Sequence, residues 1–291
     1  MRILITGGSG VIAPYLKAKL ESQGHEVRTF DLIGGDIIGD VTDSHHVNGA
    51  LNSIAPDRIY HLAAHVGREH SEHKSKVLDV NVTGTYNVAM ACAERDIEMV
   101  NFSTSEVYGN HVGIAVDEKA RCDPVNLYGV SKLAAEDIVN YQVRVYGLKA
   151  MTIRPFMIYG GEPDSIWRSA LSRFFYGIRD RRAIDIYASC LRSWCYVSDL
   201  VNGVTSEFIE GTFNIGNDTE PLTMLELYYK QTAIVGYWHE PNIIYDDPNI
   251  ITVANKAAKF GKAKEQLGYK PSIGLMEGLS KTWEASHGCT N

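Results

Sequence analysis

The chain has 291 residues, 45% of them apolar, which is enough to bury a large core and too many for a disordered chain. Its 28 basic and 35 acidic side chains leave a net charge of −7, so nothing in its electrostatics points to nucleic-acid binding. Five cysteines without a CxxC pair read as free thiols in a reducing compartment. The apolar run at the N-terminus is too short for a signal peptide or a membrane span, so the expectation is a soluble, cytoplasmic protein.

Residues 2–6 form a short apolar run that breaks at Gly7-Gly8-Ser9-Gly10 and resumes with helical spacing, the pattern of strand, glycine turn and helix. Gly7, Gly10 and Ala13 stand as GxxGxxA. Glycines let a backbone approach a pyrophosphate closely, and the helix N-terminus beyond them offers free N–H groups and partial positive charge. Pro14 suits a first helical turn, where a missing N–H costs little. A second strand over residues 25–30 ends at Asp31. A carboxylate there can accept hydrogen bonds from both ribose hydroxyls of an adenosine and would repel a 2′-phosphate, which favours NAD over NADP; the plain alternative is a turn aspartate before Gly34-Gly35.

Another short apolar run precedes Asp40-Val41, residues 44–54 read as a helix, and residues 57–61 as a strand running into Leu62, Ala63 and Ala64, small enough for a cofactor to lie against. Histidines cluster at positions 45, 46, 61, 65, 70 and 73 without a recognised ligand spacing, so no metal site is expected. Residues 77–95 read as one long helix with apolar residues on more than one side, hence deeply buried or covering a partner chain. Strands follow over 97–104 and 149–156. This alternation implies a parallel doubly wound sheet with ligands at the strands' C-terminal edge, where Thr104 falls.

Between those two strands, Tyr128 and Lys132 lie four apart in a segment with helical spacing, so both side chains share one face. A tyrosine holds its proton to about pH 10, and a neighbouring ammonium favours the phenolate, which would make Tyr128 a base near neutral pH. A lone YxxxK more often decorates a helix surface; the hydroxyl of Thr104 nearby adds weight to the chemical reading.

Beyond Gly160-Gly161 the elements become shorter and mixed. The pattern predicts helices over 164–176, 220–234 and 255–267, strands over 183–187 and 211–216, and a strand passing into a helix over 195–204. The expected fold is α/β: a Rossmann-type doubly wound parallel sheet over residues 1–160, with a smaller mixed α/β substrate region over 161–291, some of whose elements return to the first domain.

The motifs TGGSGVIA, HLAA at 61–64, NVTGTYNV at 81–88, STSEVYG at 103–109, YGVSK at 128–132, RPFMIYG at 154–160, RSWCYVSDLVNG at 192–203 and FNIGN at 213–217 occur together in order. In them the chain resembles the extended short-chain dehydrogenase/reductases that remodel nucleotide sugars: epimerases, 4,6-dehydratases and UDP-glucuronate decarboxylases. The resemblance implies that hydride leaves carbon 4 of the sugar for bound NAD while Tyr128 takes the hydroxyl proton, Lys132 holds the nicotinamide ribose and Thr104 bonds the carbon 4 oxygen. It assigns Gly7, Gly10, Val11 and Ile12 to the phosphate loop, Asp31 to the ribose and Asp40 and Val41 to the adenine. Leu62, Ala63, Ala64, Asn81 and Pro155 join the cofactor set, and Ser105, Met157 and Arg192 the substrate set, Arg192 through the diphosphate. It also implies a homodimer through the helices beginning at Val77 and Tyr128.

Thr104-Ser105-Glu106 looks like the Thr-Ser-Glu of GDP-mannose dehydratases and UDP-glucuronate decarboxylases. A 4-keto group acidifies the proton on carbon 5, which Glu106 could remove or shuttle, favouring dehydration, decarboxylation or 5-epimerisation over simple inversion at carbon 4. The chain departs from the family at Met157, where Asn is usual, at Lys256 and Lys259, which fall in an Arg-x-x-Asp region, and at Ala188-Ser189-Cys190-Leu191, which replaces a glycine-rich turn. A 4-epimerase, a small-carbonyl reductase and a non-catalytic NAD-binding regulator are the alternatives.

Overall fold

The computed structural model describes residues 1–66, 75–110, 115–160, 169–188, 190–245 and 255–287. Strand β1 (Arg2–Thr6) alternates its side chains between two buried faces, Ile3 and Ile5 into one apolar cluster and Leu4 into another. It passes through the glycine turn into helix α1 (Ala13–Ser22), with Pro14 in the first turn. The chain continues through β2 (Glu26–Asp31), β3 (Ile37–Ile38), α2 (Ser44–Ile54), β4 (Arg58–His61), α3 (Ser75–Leu78), α4 (Thr85–Ala93), β5 (Glu98–Phe102), α5 (Leu127–Tyr146) and β6 (Ala150–Pro155). Helix boundaries follow local chemistry. The Asp43 carboxylate caps α2 by accepting from His45 N at 2.8 Å, and α5 opens on Asn126, whose side chain accepts from Gly129 N at 2.8 Å, and closes on Gly147 at φ 69°.

The second part holds β7 (Ile158–Tyr159), α6 (Ala170–Arg179), β8 (Asp185–Tyr187), β9 (Leu191–Arg192), β10 (Cys195–Tyr196), α7 (Val197–Val204) and β11 (Gly211–Ile215). After these come β12 (Leu222–Thr223), α8 (Met224–Val235), β13 (Asn242–Ile244), β14 (Asn255–Lys256), α9 (Gly261–Gln266) and α10 (Leu275–His287). Thr223 and Glu226 close a reciprocal capping box at the start of α8.

Seven strands form one parallel sheet in the order β11-β6-β5-β4-β1-β2-β3. Helices α1 and α7 cover the face of Ile3 and Ile5, and α2, α4 and α5 cover the face of Leu4, which makes this the doubly wound α/β fold expected from the alternation. Strand order reverses between β1 and β4, so the crevice at their C-terminal ends, beside Thr6 and His61, is where such sheets bind ligands. β11 comes from beyond residue 160 and completes the edge next to β6. A separate apolar cluster gathers α6, α8, α10 and β8 around Phe174, Tyr228 and Leu279.

Two expected helices are different in the structure. Residues 77–95 do not run as one α-helix, because Asp79–Gly84 is a π-helix between α3 and α4. Its wider turns leave the Asn81 carbonyl to accept from Thr85 Oγ1 at 2.7 Å, and they bring Gly84 so near the β3–α2 turn that a Cβ would stand 2.7 Å from Val41 Cγ2. The helix expected over 255–267 begins only at Gly261, since Asn255–Lys256 pairs with Leu191–Arg192 as strand β14, a distant partner overriding local preference. Of the helix expected over 164–176, residues 164–168 lie outside the described residues, and α6 (Ala170–Arg179) covers the rest from Ala170 on. His70 and His73 also lie outside them. Among the described residues no helix is long and apolar enough to cross a membrane.

Candidate active site

A cavity of about 300 Å³ opens at the crevice between β1 and β4. Gly7, Gly10, Asp31, Asp40, Val41, Leu62, Ala63 and Ala64 all line it, as do Ser9, Phe30, Leu32, Gly39, His65 and Val80, which the motifs did not single out. Gly7 is required where it stands: its φ is 74°, and a Cβ would lie 2.6 Å from Ala63 N, so the turn passes directly against the end of β4. The Asp31 carboxylate closes the far side, accepting from Ser9 N at 2.9 Å and Ile33 N at 3.3 Å. The Asp40 carboxylate accepts from Thr42 N at 2.8 Å. Val11 is exposed on the turn, and Ile12 directly precedes α1 and packs on the core.

Asn81 lies elsewhere. It is fully buried, accepts from His65 N at 2.7 Å and donates to His65 O at 3.0 Å and to Ser131 Oγ at 2.8 Å, while Ser131 Oγ donates to Tyr128 O at 2.7 Å. It therefore ties the segment after β4 to the first turn of α5, beneath Tyr128. His61 spends both ring nitrogens on threonine hydroxyls, Thr6 Oγ1 at 2.7 Å and Thr85 Oγ1 at 3.1 Å, and burial holds it down to about 3, hence neutral. Among the described residues no group of three or more His, Cys, Asp or Glu side chains is placed to hold a metal ion.

Thr104 stands two residues past β5 and caps the short 3₁₀ turn Ser105–Tyr108, its hydroxyl accepting from Glu106 N at 3.2 Å. The same side chain hydrogen-bonds the phenol of Tyr128 in the first turn of α5. Burial pushes that phenol up to about 12, the charge of Glu106 pushes the same way, and the Thr104 bond opposes both. Lys132, one turn further along α5, is 1% exposed, and burial brings its ammonium down to about 8 against the pull of Glu136.

In this structure the groups that act on the Tyr128 phenol are Glu106 and Thr104, and Lys132 is not among them. Helical spacing puts both on one side, but the ammonium reaches inward, where it acts on His61 and feels Glu136, and the phenol stays with Thr104. Lys132 donates no hydrogen bond among the described residues, and its charge acts on His61 at the end of β4, so it is a buried donor within electrostatic range of the crevice-side strand end. That donor, the glycine turn and the Asp31 carboxylate fit a dinucleotide.

Glu106 is part-buried, and both its oxygens are engaged. Lys256 Nζ pairs with Oε1 and Asn126 Nδ2 donates to Oε2 at 3.0 Å. Burial alone would raise this carboxyl, but Lys256, Asn126 and Arg192 together carry it below the ordinary value, so it stays ionised. Arg192 is 5% exposed, donates to Leu191 O at 2.9 Å, and is lowered by burial. Ser105 is buried in the 3₁₀ turn, and Pro155 ends β6.

Met157 takes φ 39° and packs its side chain on the third apolar cluster. The left-handed region is one that Asn tolerates better than Met, which gives a backbone reason for the Asn usual in the motif beside any polar contact. Lys256 and Asn126 are the members of this cluster that motif reading missed; Lys256 was visible only as a departure from Arg-x-x-Asp.

A family model for the NAD dependent epimerase/dehydratase family matches residues 3–216. The chain is 27% identical to UDP-glucose 4-epimerase of Mycolicibacterium smegmatis, over 98% of this chain and 98% of that one. It is 29% identical to UDP-glucuronic acid decarboxylase 1 of Danio rerio, over 97% of this chain and 71% of the relative. The crystal structure of the Thermus thermophilus UDP-glucose 4-epimerase in complex with NAD superposes with a TM-score of 0.89, covering 100% of both chains at 24% identity, a likeness of fold. With most of its length matched by that model, and its glycine turn, Thr104, Tyr128 and Lys132 gathered at one sheet edge, the chain belongs to the NAD dependent epimerase/dehydratase family, the sugar-nucleotide branch of the extended short-chain dehydrogenase/reductases.

Proposed function

We propose that this protein oxidises carbon 4 of a nucleotide hexose and then carries out chemistry at carbon 5, by 4,6-dehydration or by decarboxylation of a uronic acid. The observation that carries this reading is the contact of Thr104 with the Tyr128 phenol in the electrostatic reach of an ionised Glu106. Tyr128 takes the proton of the carbon 4 hydroxyl, Thr104 fixes the same oxygen, and Lys132 donates to the cofactor ribose. NAD, when bound, supplies the hydride acceptor that turns the alcohol into a ketone. Gly7, Gly10, Val11, Ile12, Asp31, Asp40, Val41, Leu62, Ala63, Ala64 and Pro155 hold that cofactor, with Asn81 positioning the chain around it. For dehydration the ketone acidifies the carbon 5 proton, which the Glu106 carboxylate takes as the carbon 6 hydroxyl leaves as water. For decarboxylation the ketone takes up the electrons of the carbon 5–carboxylate bond as carbon dioxide leaves, and Glu106 relays the proton that carbon 5 then gains. Arg192 meets the diphosphate, and Ser105 and Met157 flank the sugar.

A second reading, inversion at carbon 4, is supported by the relatives named as 4-epimerases. Mass separates the outcomes. Incubation with UDP-glucose, UDP-glucuronate, dTDP-glucose, GDP-mannose and CDP-glucose gives loss of water for dehydration, loss of carbon dioxide for decarboxylation and an isobaric product for epimerisation. No new product from any of them, by mass or by chromatographic separation of isobaric sugars, rejects the proposed chemistry on these sugar nucleotides.

The active form proposed is a homodimer in the cytoplasm. Tyr86, Leu127, Val130, Tyr141 and Val145 on α4 and α5 leave 39–54% of their surface exposed, which supports pairing through those helices. The free thiols of Cys92, Cys122, Cys190 and Cys195 support a reducing compartment. Light scattering that gives one chain's mass at micromolar protein rejects the dimer.

A further inference from the structure

Lys256 and Arg192 occupy paired positions of the neighbouring parallel strands β14 and β9, so their side chains leave the ladder on the same side. Lys256 pairs with Glu106 on the 3₁₀ turn, 150 positions away in sequence, and Arg192 lies within range of its charge. The Lys256 and Glu106 side chains are only 10% and 18% exposed. Burying an ammonium and a carboxylate is costly, and a pair that served stability alone could be replaced by apolar side chains of the same volume. Here the carboxylate that Lys256 holds acts by its charge on the Tyr128 phenol, so the pair belongs to the site and is not a bridge remote from it.

We infer that Lys256 is a positioning residue of this site, fixing the place and the charge of the Glu106 carboxylate beside Tyr128. This rests on the reading of Glu106 as the group that serves carbon 5. The grip is two-sided: Lys256 from β14 takes Oε1, and Asn126, the cap of α5, takes Oε2. Removing either donor leaves the other, but only Lys256 brings charge. The groups facing Glu106 are Lys256, Arg192 and Asn126, with Tyr128 on the side of Thr104. Lys256 itself is lowered by burial and by Arg192 and raised by Glu106, so each partner keeps the other ionised. The departure from Arg-x-x-Asp thus places a compact ammonium on one carboxylate oxygen, where a guanidinium would present a planar fork.

The test uses the full chain with its cofactor. The ¹³C carboxyl resonance of Glu106, assigned by its loss in E106Q, is titrated in the native protein and in K256M, K256Q and K256R. Solvent deuterium at carbon 5 of the product is read against pH for whichever of the five sugar nucleotides named above is turned over. The expected result is a Glu106 titration displaced to higher pH in K256M and K256Q and restored in K256R, with the acid limb of deuterium incorporation moving in step. A titration unchanged by either neutral variant overturns the inference, as does K256R behaving like K256M. Should E106Q incorporate deuterium as the native protein does, the carbon 5 role of Glu106 falls, and with it what Lys256 is inferred to serve. Two neutral variants keep the test open if one of them fails to fold.

Discussion

Glu136 and Arg154 form a doubly bonded pair inside the sheet–helix interface, with Arg154 Nη2 donating to Glu136 Oε2 at 2.6 Å and Nε to Oε1 at 2.9 Å. Both are nearly inaccessible, and the pair is extended on each side: Ser103 Oγ donates to Glu136, and Arg154 Nη1 donates at 2.8 Å to Tyr108 OH, which donates at 2.7 Å to Asn214 Oδ1. Glu136 lies one turn beyond Lys132 on α5 and favours its protonated form. Glu136→Gln leaves a buried guanidinium half-satisfied. Breaking such a pair costs about 3–5 kcal/mol, so the urea midpoint of the variant falls well below the native one with little change in slope. The same change lets the Lys132 ammonium lose its proton more easily.

His61 supplies a pH dependence of stability with a definite sign. Burial, with the charge of Lys132 adding to it, holds its folded value at about 3 against an ordinary 6.5. Between those limits the unfolded chain binds a proton that the folded chain refuses, so this contribution is complete above pH 6.5 and is lost as pH falls towards 3. His61→Gln removes that dependence. Urea unfolding at steps from pH 7 to pH 4 is expected to show a shallower loss of stability in the variant than in the native protein, and parallel curves would reject the assignment.

Gly7→Ala meets two obstacles at once. The φ of 74° disfavours any L side chain by about 1–2 kcal/mol, and the added Cβ would lie 2.6 Å from a backbone nitrogen of Ala63 that cannot swing aside. Either β1 and β4 part at their ends or the turn rearranges. Loss of bound NAD on gel filtration, with a lower melting temperature, is the expected result; a variant retaining NAD and native stability would mean that the turn has more room than these contacts allow.

Sequence pattern carried the first half of the fold because each strand there is short, apolar and followed by its own helix, so local period and sheet topology agree. The glycine turn and Asp31 were legible for the same reason, since the backbone conformation and the residue type are fixed together. Interruptions set by distant contacts were not legible. The π-turn at Asp79–Gly84 keeps the apolar spacing of a helix and differs only in what Asn81, Thr85 and Gly84 touch. Strand β14 is two residues long and exists through its pairing with β9, which no local signal announces.

The site divides along the same line. Thr104, Tyr128 and Lys132 sit on elements whose ends are locally determined, and their motif placed them on neighbouring elements. Electrostatics between them was another matter: spacing of four on a helix says that two side chains share a face, and it does not say that the longer one bends inward to His61 and Glu136. Lys256 was readable only as an oddity, because its partner Glu106 belongs to the other half of the chain.

The phenol of Tyr128 offers the sharpest kinetic prediction, because two neighbours push it in opposite directions. Thr104 lowers it through a hydrogen bond, and Glu106 raises it through charge, from a value that burial has already taken to about 12. If Tyr128 is the base for the carbon 4 hydroxyl, the rate of cofactor reduction, followed by absorbance in a single turnover, rises with pH along a limb set by this phenol. Thr104→Val removes the stabilising bond and moves that limb to higher pH. Glu106→Gln removes the repelling charge and moves it to lower pH, even while carbon 5 chemistry is lost. Tyr128→Phe removes the base altogether and costs about 10²–10⁴-fold in the first step, with NAD still bound. Limbs that shift together in the two neighbours' variants, or a phenylalanine variant that reduces cofactor at the native rate, would take Tyr128 out of the reaction.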